Sequence, residues 1–299
     1  MAGRKMHAHE ISTDVGLVRR LLAAQFPEWA ELPIEHFPSS GTVNALYRLG
    51  DDLVVRLART DWGVGAIDRE LRWLPRLAPL LPVEIPVPHA KGRAGEGYPW
   101  DWGVYPWLAG EHPAAGAIAE QGSLARDLAR FVAALHGVDL ANGPPSGRGA
   151  SLTRFDEPTR AALPALEGVI DTDAATAAWD EAVSTPEWAG APVWVHGDLM
   201  PGNLLVRGDT LAAVIDWGGV GVGDPACDLA VAWNTLAAGG REVLRTELDV
   251  DDATWARGRG WALWTGLVAL PYYEQTNPVL AENARYRIGE VLADYDGPA

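Results

Sequence analysis

In the first third of the chain, apolar residues follow first a helical and then a strand-like spacing. Residues 13–26 carry apolar side chains three and four positions apart, which predicts an amphipathic helix with Ser12 or Thr13 as its N-terminal cap. Short apolar runs follow, and Gly-Asp-Asp at 50–52 indicates a hairpin turn between two of them. The elements expected here are strands at 34–37, 43–49 and 53–57 and a helix at 68–80.

Beyond about residue 110 the apolar spacing becomes predominantly helical. The segment 102–110 is predicted to be the hinge between a strand-rich and a helix-rich part, and the Gly-, Pro- and Ser-rich segment 139–152 is expected to be a loop. Helices are expected at 123–137, 225–238, 253–270 and 279–293, and strands within 192–217. These elements predict an α+β chain with a first lobe at 1–108 and a second lobe at 109–299.

Length and composition indicate a folded protein with a sizeable core. The chain has 299 residues, of which 48% are hydrophobic and 14 are tryptophan, so one large or two packed domains are expected. The first residues lack the apolar segment of a signal peptide, and the apolar stretch 261–273 is too short for a membrane span. A single cysteine, Cys227, excludes an internal disulfide. The simplest expectation is a cytoplasmic protein.

The formal net charge of −16 argues against nucleic acid or an anionic membrane as a partner. Almost all of the acidic excess lies after residue 110, in the predicted second lobe. Such a field would attract a cationic ligand. An acidic surface that only keeps the protein in solution explains the same distribution.

The most informative segment is Trp-Val-His-Gly-Asp-Leu-Met-Pro-Gly-Asn-Leu-Leu-Val at 194–206, with Ala-Val-Ile-Asp-Trp-Gly at 213–218. Four polar residues interrupt its apolar, strand-like runs: His196, Asp198, Asn203 and Asp216. This pattern predicts a pocket beside short strands, with one carboxylate available for chemistry and two oxygen ligands for a hard cation. Each half of the motif is also ordinary turn or cap chemistry, but the ordered combination is far more specific.

Protein kinases arrange phosphoryl transfer on the same spacing: a loop Asp receives the hydroxyl proton, an Asn five residues later binds Mg²⁺, and a later Asp also binds Mg²⁺. Here His-Gly-Asp at 196–198 stands where protein kinases carry His-Arg-Asp, and Asp-Trp-Gly at 216–218 stands where they carry Asp-Phe-Gly. The chain resembles the aminoglycoside phosphotransferase family, the small-molecule branch of the protein-kinase-like fold. This resemblance implies a two-lobed fold with a small antiparallel-sheet N-lobe and a larger, mostly helical C-lobe.

The resemblance also implies a role for each residue of the motif. Asp198 would orient the acceptor hydroxyl and accept its proton, while His196 would brace the catalytic loop by hydrogen bonding. Asn203 and Asp216 would bind Mg²⁺, with ATP, or alternatively GTP, as the phosphoryl donor.

Two acids downstream match a segment that habitually follows in this family. They lie in Gly-Asp-Pro-Ala-Cys-Asp-Leu-Ala at 223–230. By resemblance, Asp224 and Asp228 would brace the catalytic loop through its backbone amides, although a simple N-cap explains Asp224 equally well.

The candidate nucleotide-binding loop resembles that of protein kinases less closely, because it has one glycine where the protein-kinase loop has three. By resemblance, hydroxyls and backbone amides of Ser39, Ser40, Gly41 and Thr42 would face the phosphates. The pattern alone is the same as that of any hairpin turn. Backbone of 104–107 would bind the adenine, with Tyr105 and Trp107 packing nearby, although such apolar-aromatic runs are also plain core.

The lysine that kinases carry on a strand of the N-lobe is missing, and Arg56 occupies the matching position. A guanidinium stays charged and can bind phosphate oxygens, so the replacement is chemically sensible. Its acidic partner should lie on the following helix, with Glu70 the best placed and Asp68 the second candidate. The alternative is that Arg56 is a surface strand residue paired with an exposed acid.

The motifs specify the reaction rather than the acceptor. An aminoglycoside-like antibiotic, which would be cationic, is the first hypothesis. Another small molecule, such as a macrolide or a choline-like or sugar metabolite, is the second. Acids that could bind ammonium groups are Asp156, Glu157, Asp171, Asp173, Asp180, Glu181 and Glu274, the last next to two tyrosines. A nucleotide-binding pseudokinase sensor is disfavoured by the intact motif. A protein kinase is disfavoured because no Ala-Pro-Glu segment follows Asp216.

Overall fold

The structure, a computed structural model, describes residues 10–115 and 121–295. The chain divides into two compact units. The first unit holds the chain up to Pro79, Glu84–Ala109 and Ile215–Gly218, and the second holds Leu80–Val83, Gly110–Val214 and the chain from Gly219 onward. The short segment that contains Asp216 therefore belongs to the unit built mainly from the N-terminal third.

The first unit is a five-stranded antiparallel sheet with two α-helices. Its elements are α1 (Val15–Gln25), β1 (Ile34–Phe37), β2 (Asn44–Leu49), β3 (Leu53–Ala58), α2 (Ala66–Leu77), β4 (Ala90–Gly92) and β5 (Trp102–Pro106). The strand order is β1-β2-β3-β5-β4, and every neighbouring pair is antiparallel. The predicted hinge at 102–110 thus begins with a strand that lies inside the sheet.

Helix α1 begins later than the sequence indicates, because its cap is Asp14. The Oδ1 atom of Asp14 accepts a hydrogen bond from the backbone N–H of Leu17 at 2.7 Å. The prediction of Ser12 or Thr13 as cap is therefore wrong. The Thr13 hydroxyl instead accepts a hydrogen bond from the Tyr47 hydroxyl of β2 at 2.8 Å, which commits it to the sheet.

Alternation along β3 separates the core from the polar face of the sheet. Val55 and Leu57 are fully buried in the core that α1 also covers. Arg56 lies between them, and since successive side chains of a strand point to opposite faces, it projects from the other side. The alternation of side chains along β3 thus places the guanidinium of Arg56 on the face away from this core.

The apolar stripe of α2 contains one acid. Its buried positions follow helical spacing and are Ile67, Glu70, Trp73, Leu74 and Leu77. Because Glu70 occupies a place in this stripe, its carboxylate is held inside the unit rather than in water. Helix α2 therefore supplies the buried acid that the sequence analysis expected on this element.

The second unit is mainly helical and carries two small antiparallel sheets. Its elements are α3 (Gln121–His136), α4 (Asp156–Ala162), α5 (Thr172–Ser184), β6 (Val193–Val195), β7 (Leu204–Arg207), β8 (Thr210–Val214), β9 (Gly221–Gly223), α6 (Val231–Thr235), α7 (Ala238–Leu248), α8 (Asp252–Tyr273) and α9 (Pro278–Tyr295). Strand β6 pairs with β9, and β7 pairs with β8. Within 10–115 and 121–295, none of the helices is long and apolar enough to cross a bilayer.

The predicted helix at 225–238 is not a single helix. Pro225–Ala230 forms a 3₁₀ segment, and α6 and α7 follow separately. Every residue from Pro225 to Leu236 is buried, so the apolar run has no exposed face whose period could distinguish one helix from several short ones. Helices α4, α5 and α7 were likewise not predicted individually.

The packing of the sheet leads to a matched pair of tryptophan substitutions. Trp102 of β5 is 1% exposed, meets Phe26 edge-on at 5.5 Å and donates to the Arg93 carbonyl at 3.1 Å. Trp102→Ala should lower the free energy of unfolding by about 3–5 kcal/mol, because it removes a large buried side chain. Urea denaturation measures the change. Trp62, which is 63% exposed, is the control: Trp62→Ala should shift stability by no more than about 0.5 kcal/mol.

Candidate active site

The catalytic-loop motif begins immediately after β6 with a sharp change in backbone direction. Gly197 has φ of +80°, a conformation that residues with a Cβ rarely adopt. A Cβ atom at this position would also lie 2.9 Å from the Cβ of Arg148. The glycine of His-Gly-Asp is therefore required twice, once by the backbone conformation and once by the close approach of the 146–149 segment.

The buried carboxylate of Asp228 holds this turn in place. Its Oδ2 accepts a hydrogen bond from the backbone N–H of His196 at 3.0 Å, and its Oδ1 accepts one from Gly197 at 2.7 Å. The Nε2 atom of His136 lies 3.2 Å from Oδ2. Asp228 is fully buried, so these contacts satisfy a carboxylate that has no access to water.

Asp224, the other acid of this segment, has a different function. It caps the 3₁₀ segment through Ala226 N at 2.9 Å and pairs with Arg257 at 2.7 Å. Of the two acids expected to brace the loop, Asp228 makes the contacts with the loop amides, and Asp224 fastens the 3₁₀ segment to α8.

Asp198 stands partly exposed on the braced loop. Its side chain is 37% exposed, and its Oδ1 lies 3.1 Å from Nη1 of Arg148. Its backbone N–H donates to Nδ1 of the buried His196 at 3.2 Å. The amide of Asn203 donates to the Asp198 carbonyl at 2.8 Å and to its Oδ2 at 3.1 Å. The structure thus brings His196, Asp198 and Asn203 together within the second unit.

In the first unit, Arg56, Glu70 and Tyr105 form one buried group. Nη2 of Arg56 lies 2.6 and 2.8 Å from the two carboxylate oxygens of Glu70. The Tyr105 hydroxyl donates to Glu70 Oε2 at 2.5 Å, and the guanidinium lies 4.7 Å from the Tyr105 ring centre. Asp68, the second candidate partner, instead lies 2.5 Å from Lys91. Arg56 is 12% exposed, so it is not a surface strand residue.

The surroundings of Arg56 keep it charged. Burial by itself would lower the pKa of Arg56, but Glu70, Tyr105 and Asp216 outweigh that effect and raise it above its ordinary value. Burial raises the pKa of Glu70, against the lowering effect of Arg56 and of the Tyr105 hydroxyl. A guanidinium in this position remains a permanent cation.

Asp216 lies close to Arg56, in the short segment Ile215–Gly218 that belongs to the first unit. Its Oδ1 is 4.0 Å from Nη1 of Arg56, and its side chain is 46% exposed. Its backbone has φ of +63°, a left-handed conformation that is uncommon outside glycine and is often found where function constrains the chain. Arg69 fastens the segment by donating to the Gly218 carbonyl at 3.0 Å.

The predicted phosphate loop is the connection between β1 and β2. Ser39 Oγ accepts from the backbone N–H of Gly41 at 3.0 Å, Gly41 is exposed and Thr42 is 9% exposed. Ser40 lies half-buried in the same turn. This is a tight polar turn at one end of the sheet.

The predicted adenine-binding backbone already has partners within the sheet. The N–H of Trp107 donates to the Asp52 carbonyl at 2.7 Å, and the Val104 carbonyl accepts from His89 at 2.8 Å. The Trp107 ring lies under the guanidinium of Arg48 at 4.0 Å. Tyr105 is buried against Glu70, as described above, rather than placed at the surface of the hinge.

The two predicted metal ligands lie one in each unit, Asp216 in the first and Asn203 in the second. Among residues 10–115 and 121–295, no three or more His, Cys, Asp or Glu side chains are grouped so that they could hold a metal ion. Asn203 and Asp216 supply one amide and one carboxylate oxygen. These are donors that Mg²⁺ accepts when water and phosphate oxygens complete its coordination.

Comparison with known proteins identifies the chain. The model of the phosphotransferase enzyme family matches residues 36–295. The chain belongs to this family. The match confirms the predicted enzyme class, a phosphotransferase with an alcohol group as acceptor. No curated protein sequence matches the chain at a significant level.

Solved structures confirm the fold of this phosphotransferase. The GDP and kanamycin complex of APH(2")-IIia aligns at a TM-score of 0.72 with 19% identity, covering 93% of this chain and 98% of that one. The GDP complex of wild-type aminoglycoside 2'-phosphotransferase-IIIa gives 0.73 and 18%, with 94% and 99% covered. Macrolide 2'-phosphotransferase MphH from Brachybacterium faecium gives 0.58 and 22%, with 96% and 99% covered. At these identities the likeness establishes the kinase-like α+β fold.

Sequence analysis of the phosphotransferase missed two arginines near Asp198. Arg148 lies in the segment expected to be a loop, with no motif around it. Arg287 lies on α9, in a buried stripe with Ala284, Ile288 and Val291. A cation among apolar positions at helical spacing was the signal that could have identified it.

The brace under the catalytic loop of the phosphotransferase leads to a stability prediction. Asp228→Asn replaces one acceptor oxygen with an amide donor, so a buried backbone N–H loses its partner. We expect a loss of about 2–3 kcal/mol in the free energy of unfolding, measured by urea denaturation. Asp173→Asn, at an exposed position in the first turn of α5, is the control and should cost no more than about 0.5 kcal/mol. Equal losses in the two variants would contradict the role of Asp228.

Proposed function

We propose that this protein transfers the γ-phosphate of a nucleoside triphosphate to a hydroxyl group of a small molecule. The observation that carries the proposal is the placement of Asp198. This carboxylate is partly exposed and stands on a loop whose amides are held by Asp228. Family membership gives the reaction class, and the loop places Asp198 as the base for that reaction in a defined position.

Asp198 is the residue that receives the acceptor proton. Phosphoryl transfer requires positioning and charge neutralisation more than covalent chemistry. Asp198 orients the acceptor hydroxyl towards the phosphate and accepts its proton late in transfer. His196 holds the Asp198 backbone through the 3.2 Å contact described above and acts as a positioning residue.

The first unit binds the nucleotide. Arg56, fixed by Glu70 and kept charged, contacts phosphate oxygens in place of the usual lysine. The turn formed by Ser39, Ser40, Gly41 and Thr42 supplies hydroxyls and amides to the phosphates. Tyr105 supports Arg56 through Glu70, and Trp107 packs near the base. ATP is the expected donor, and GTP is the alternative, since GDP occupies two of the similar solved structures.

Asn203 and Asp216 are the protein's ligands for Mg²⁺. When bound, the ion neutralises charge on the phosphates. Asn203 uses its amide nitrogen to hold Asp198, which leaves its carbonyl oxygen as the ligand atom. The second unit therefore carries the catalytic residues and, in this proposal, binds the acceptor.

The sequence hypothesis of an aminoglycoside-like acceptor has support from the fold, because one of the similar structures is a kanamycin complex. However, the acids expected to bind ammonium groups are largely engaged. Asp156 and Asp180 both pair with Arg160, Glu181 pairs with Arg259, and Glu274 pairs with Arg285. The acidic charge of the second unit is therefore partly neutralised at these positions.

The reaction is tested by measuring ADP release from Mg-ATP and GDP release from Mg-GTP across a panel of acceptors. The panel contains aminoglycosides, macrolides, choline-like alcohols, and neutral and acidic sugars. Stimulation by one class identifies the acceptor and excludes a sensor. A protein that binds nucleotide and releases none of it as diphosphate with any class would be a nucleotide-binding sensor instead.

Asp198→Asn should abolish turnover while leaving nucleotide affinity unchanged. The substitution keeps the volume and removes the base, so we expect a fall in kcat of at least about a hundred-fold. Calorimetry with Mg-ADP measures the affinity. Asp209→Asn, in the exposed turn between β7 and β8, is the matched control. Turnover retained in Asp198→Asn would remove Asp198 from the mechanism.

Arg56 can be tested without unfolding the first unit. Arg56→Met alone would leave Glu70 as an unpaired buried carboxylate, which is strongly destabilising. The double variant Arg56→Met/Glu70→Gln avoids this charge and should fold. Its dissociation constant for Mg-ADP should rise about ten- to a hundred-fold, because a charged contact to phosphate is lost. Arg76→Met, at an exposed position of α2, is the control, and an unchanged affinity in the double variant would place the phosphate contact elsewhere.

A further inference from the structure

A small cavity adjoins Asp198 in the second unit, and its charged walls are mostly cationic. Its volume is about 10 Å³, and Asp198 is its one carboxylate among the described residues. Arg148 and Arg287 line the same cavity, together with Trp261. A site built to hold the ammonium groups of a polycationic acceptor would present the opposite charge here.

Arg287 differs from the other buried arginines of the protein. Three arginines in the described chain are at most 6% exposed: Arg241, Arg257 and Arg287. Arg241 pairs with Glu290, and Arg257 pairs with Asp224. Within the described residues, no carboxylate oxygen lies within 4.0 Å of the Arg287 guanidinium. A buried cation without an anion is costly, so this position calls for a partner that the chain does not supply.

The hydrogen bonds of Arg287 are few and neutral. Its Nη1 donates to the Thr265 hydroxyl at 2.9 Å, and its Nη2 donates to the amide oxygen of Asn283. Its buried Nε has no acceptor in the described structure. Burial lowers the pKa of Arg287 to about 10, with Asp198 opposing that effect only in part. The charge remains at neutral pH and is poorly compensated.

Neighbouring side chains add further donors. The buried indole Nε1 atoms of Trp261 and Trp264 have no acceptor within the described structure. Arg148, 38% exposed, lies 5.3 Å from the Trp264 ring centre and 3.1 Å from Asp198. Guanidinium and indole groups donate hydrogen bonds and accept none. The surroundings of Asp198 are therefore rich in donors and poor in acceptors.

We propose that the acceptor alcohol carries an anionic group, a carboxylate or a phosphate, which Arg287 and Arg148 bind beside the reacting hydroxyl. This inference rests on the proposed function and names the substrate class of the same site. The anion would supply the counter-charge that Arg287 lacks. It would also draw Arg148 away from Asp198, so that the base becomes available when the correct acceptor is bound.

Anion binding is tested on the full chain with Mg-ADP at saturation, so that the phosphate contacts of the first unit are occupied. The melting temperature is measured with malonate, with inorganic phosphate and with chloride at equal ionic strength. Malonate, phosphate or both should raise Tm above the chloride value, and the comparison of the two identifies the preferred anion. Equal Tm values in all three salts would overturn the proposal.

Two variants of α9 locate the effect. Arg287→Met removes the unpaired cation at similar volume, which proteins tolerate well where no buried partner charge is left behind. It should abolish the anion-dependent rise in Tm. Arg285→Met, two residues away and paired with exposed Glu274, should retain the rise. An undiminished rise in Arg287→Met would also overturn the proposal.

Turnover separates this inference from the proposed function. Glucuronate, glucose and glucosamine form a matched series of anionic, neutral and cationic acceptors, and glycerate and glycerol form a second one. Anionic members should have the higher kcat/KM, and Arg287→Met should lower it about ten- to a hundred-fold for them alone. Higher kcat/KM for neutral or cationic members would refute an anionic acceptor and leave phosphotransfer intact. An anion-dependent Tm without turnover on any acceptor would refute phosphotransfer and leave the anion site intact.

Discussion

The candidate site depends on one buried carboxylate, that of Asp228. Two consecutive backbone amides, of His196 and Gly197, donate to its two oxygens, and this fixes the turn from which Asp198 emerges. Backbone amides in such a turn have no strand partner, so without an acceptor they would be buried and unsatisfied. The carboxylate of Asp228 therefore decides where Asp198, the proposed base, stands. This explains why a polar residue occupies a fully buried position.

Burial of charge distinguishes supporting residues from those that face a ligand. Glu70 is completely buried and is matched by Arg56 and Tyr105, so the group is electrostatically closed apart from the exposed side of Arg56. Arg287 is 6% exposed but is matched by a hydroxyl and an amide only. Since an unpaired internal charge is destabilising, its persistence on an apolar helical stripe points to a function rather than to packing.

The sequence was sufficient for the fold class, for β1, β2 and β3 of the first unit and for the motif. It was insufficient for β4, for β5, which the sequence indicated as a hinge, and for the contacts that set the site. Strands at 34–37 and 53–57 were recognisable because β1 and β3 lie between clear turn signals. The run 225–238 predicts one helix because Pro225 to Leu236 are all buried and no period is visible among them. Arg287 was not predicted, because ion pairs depend on three-dimensional packing. A single sequence does not show which arginines face a carboxylate and which do not.

Net charge is a poor guide to the acceptor, because it too says nothing about which groups lie together in the fold. A charge of −16 describes the whole molecule, whereas recognition depends on the few groups that are desolvated beside the reacting atoms. On the surface, acids such as Glu181 and Glu274 pair with arginines and are screened by solvent. In the cavity beside Asp198, two arginines oppose one carboxylate. Low dielectric strengthens charge interactions there. The proposed anion site therefore needs only a local excess of positive charge, even in a protein that is strongly acidic as a whole.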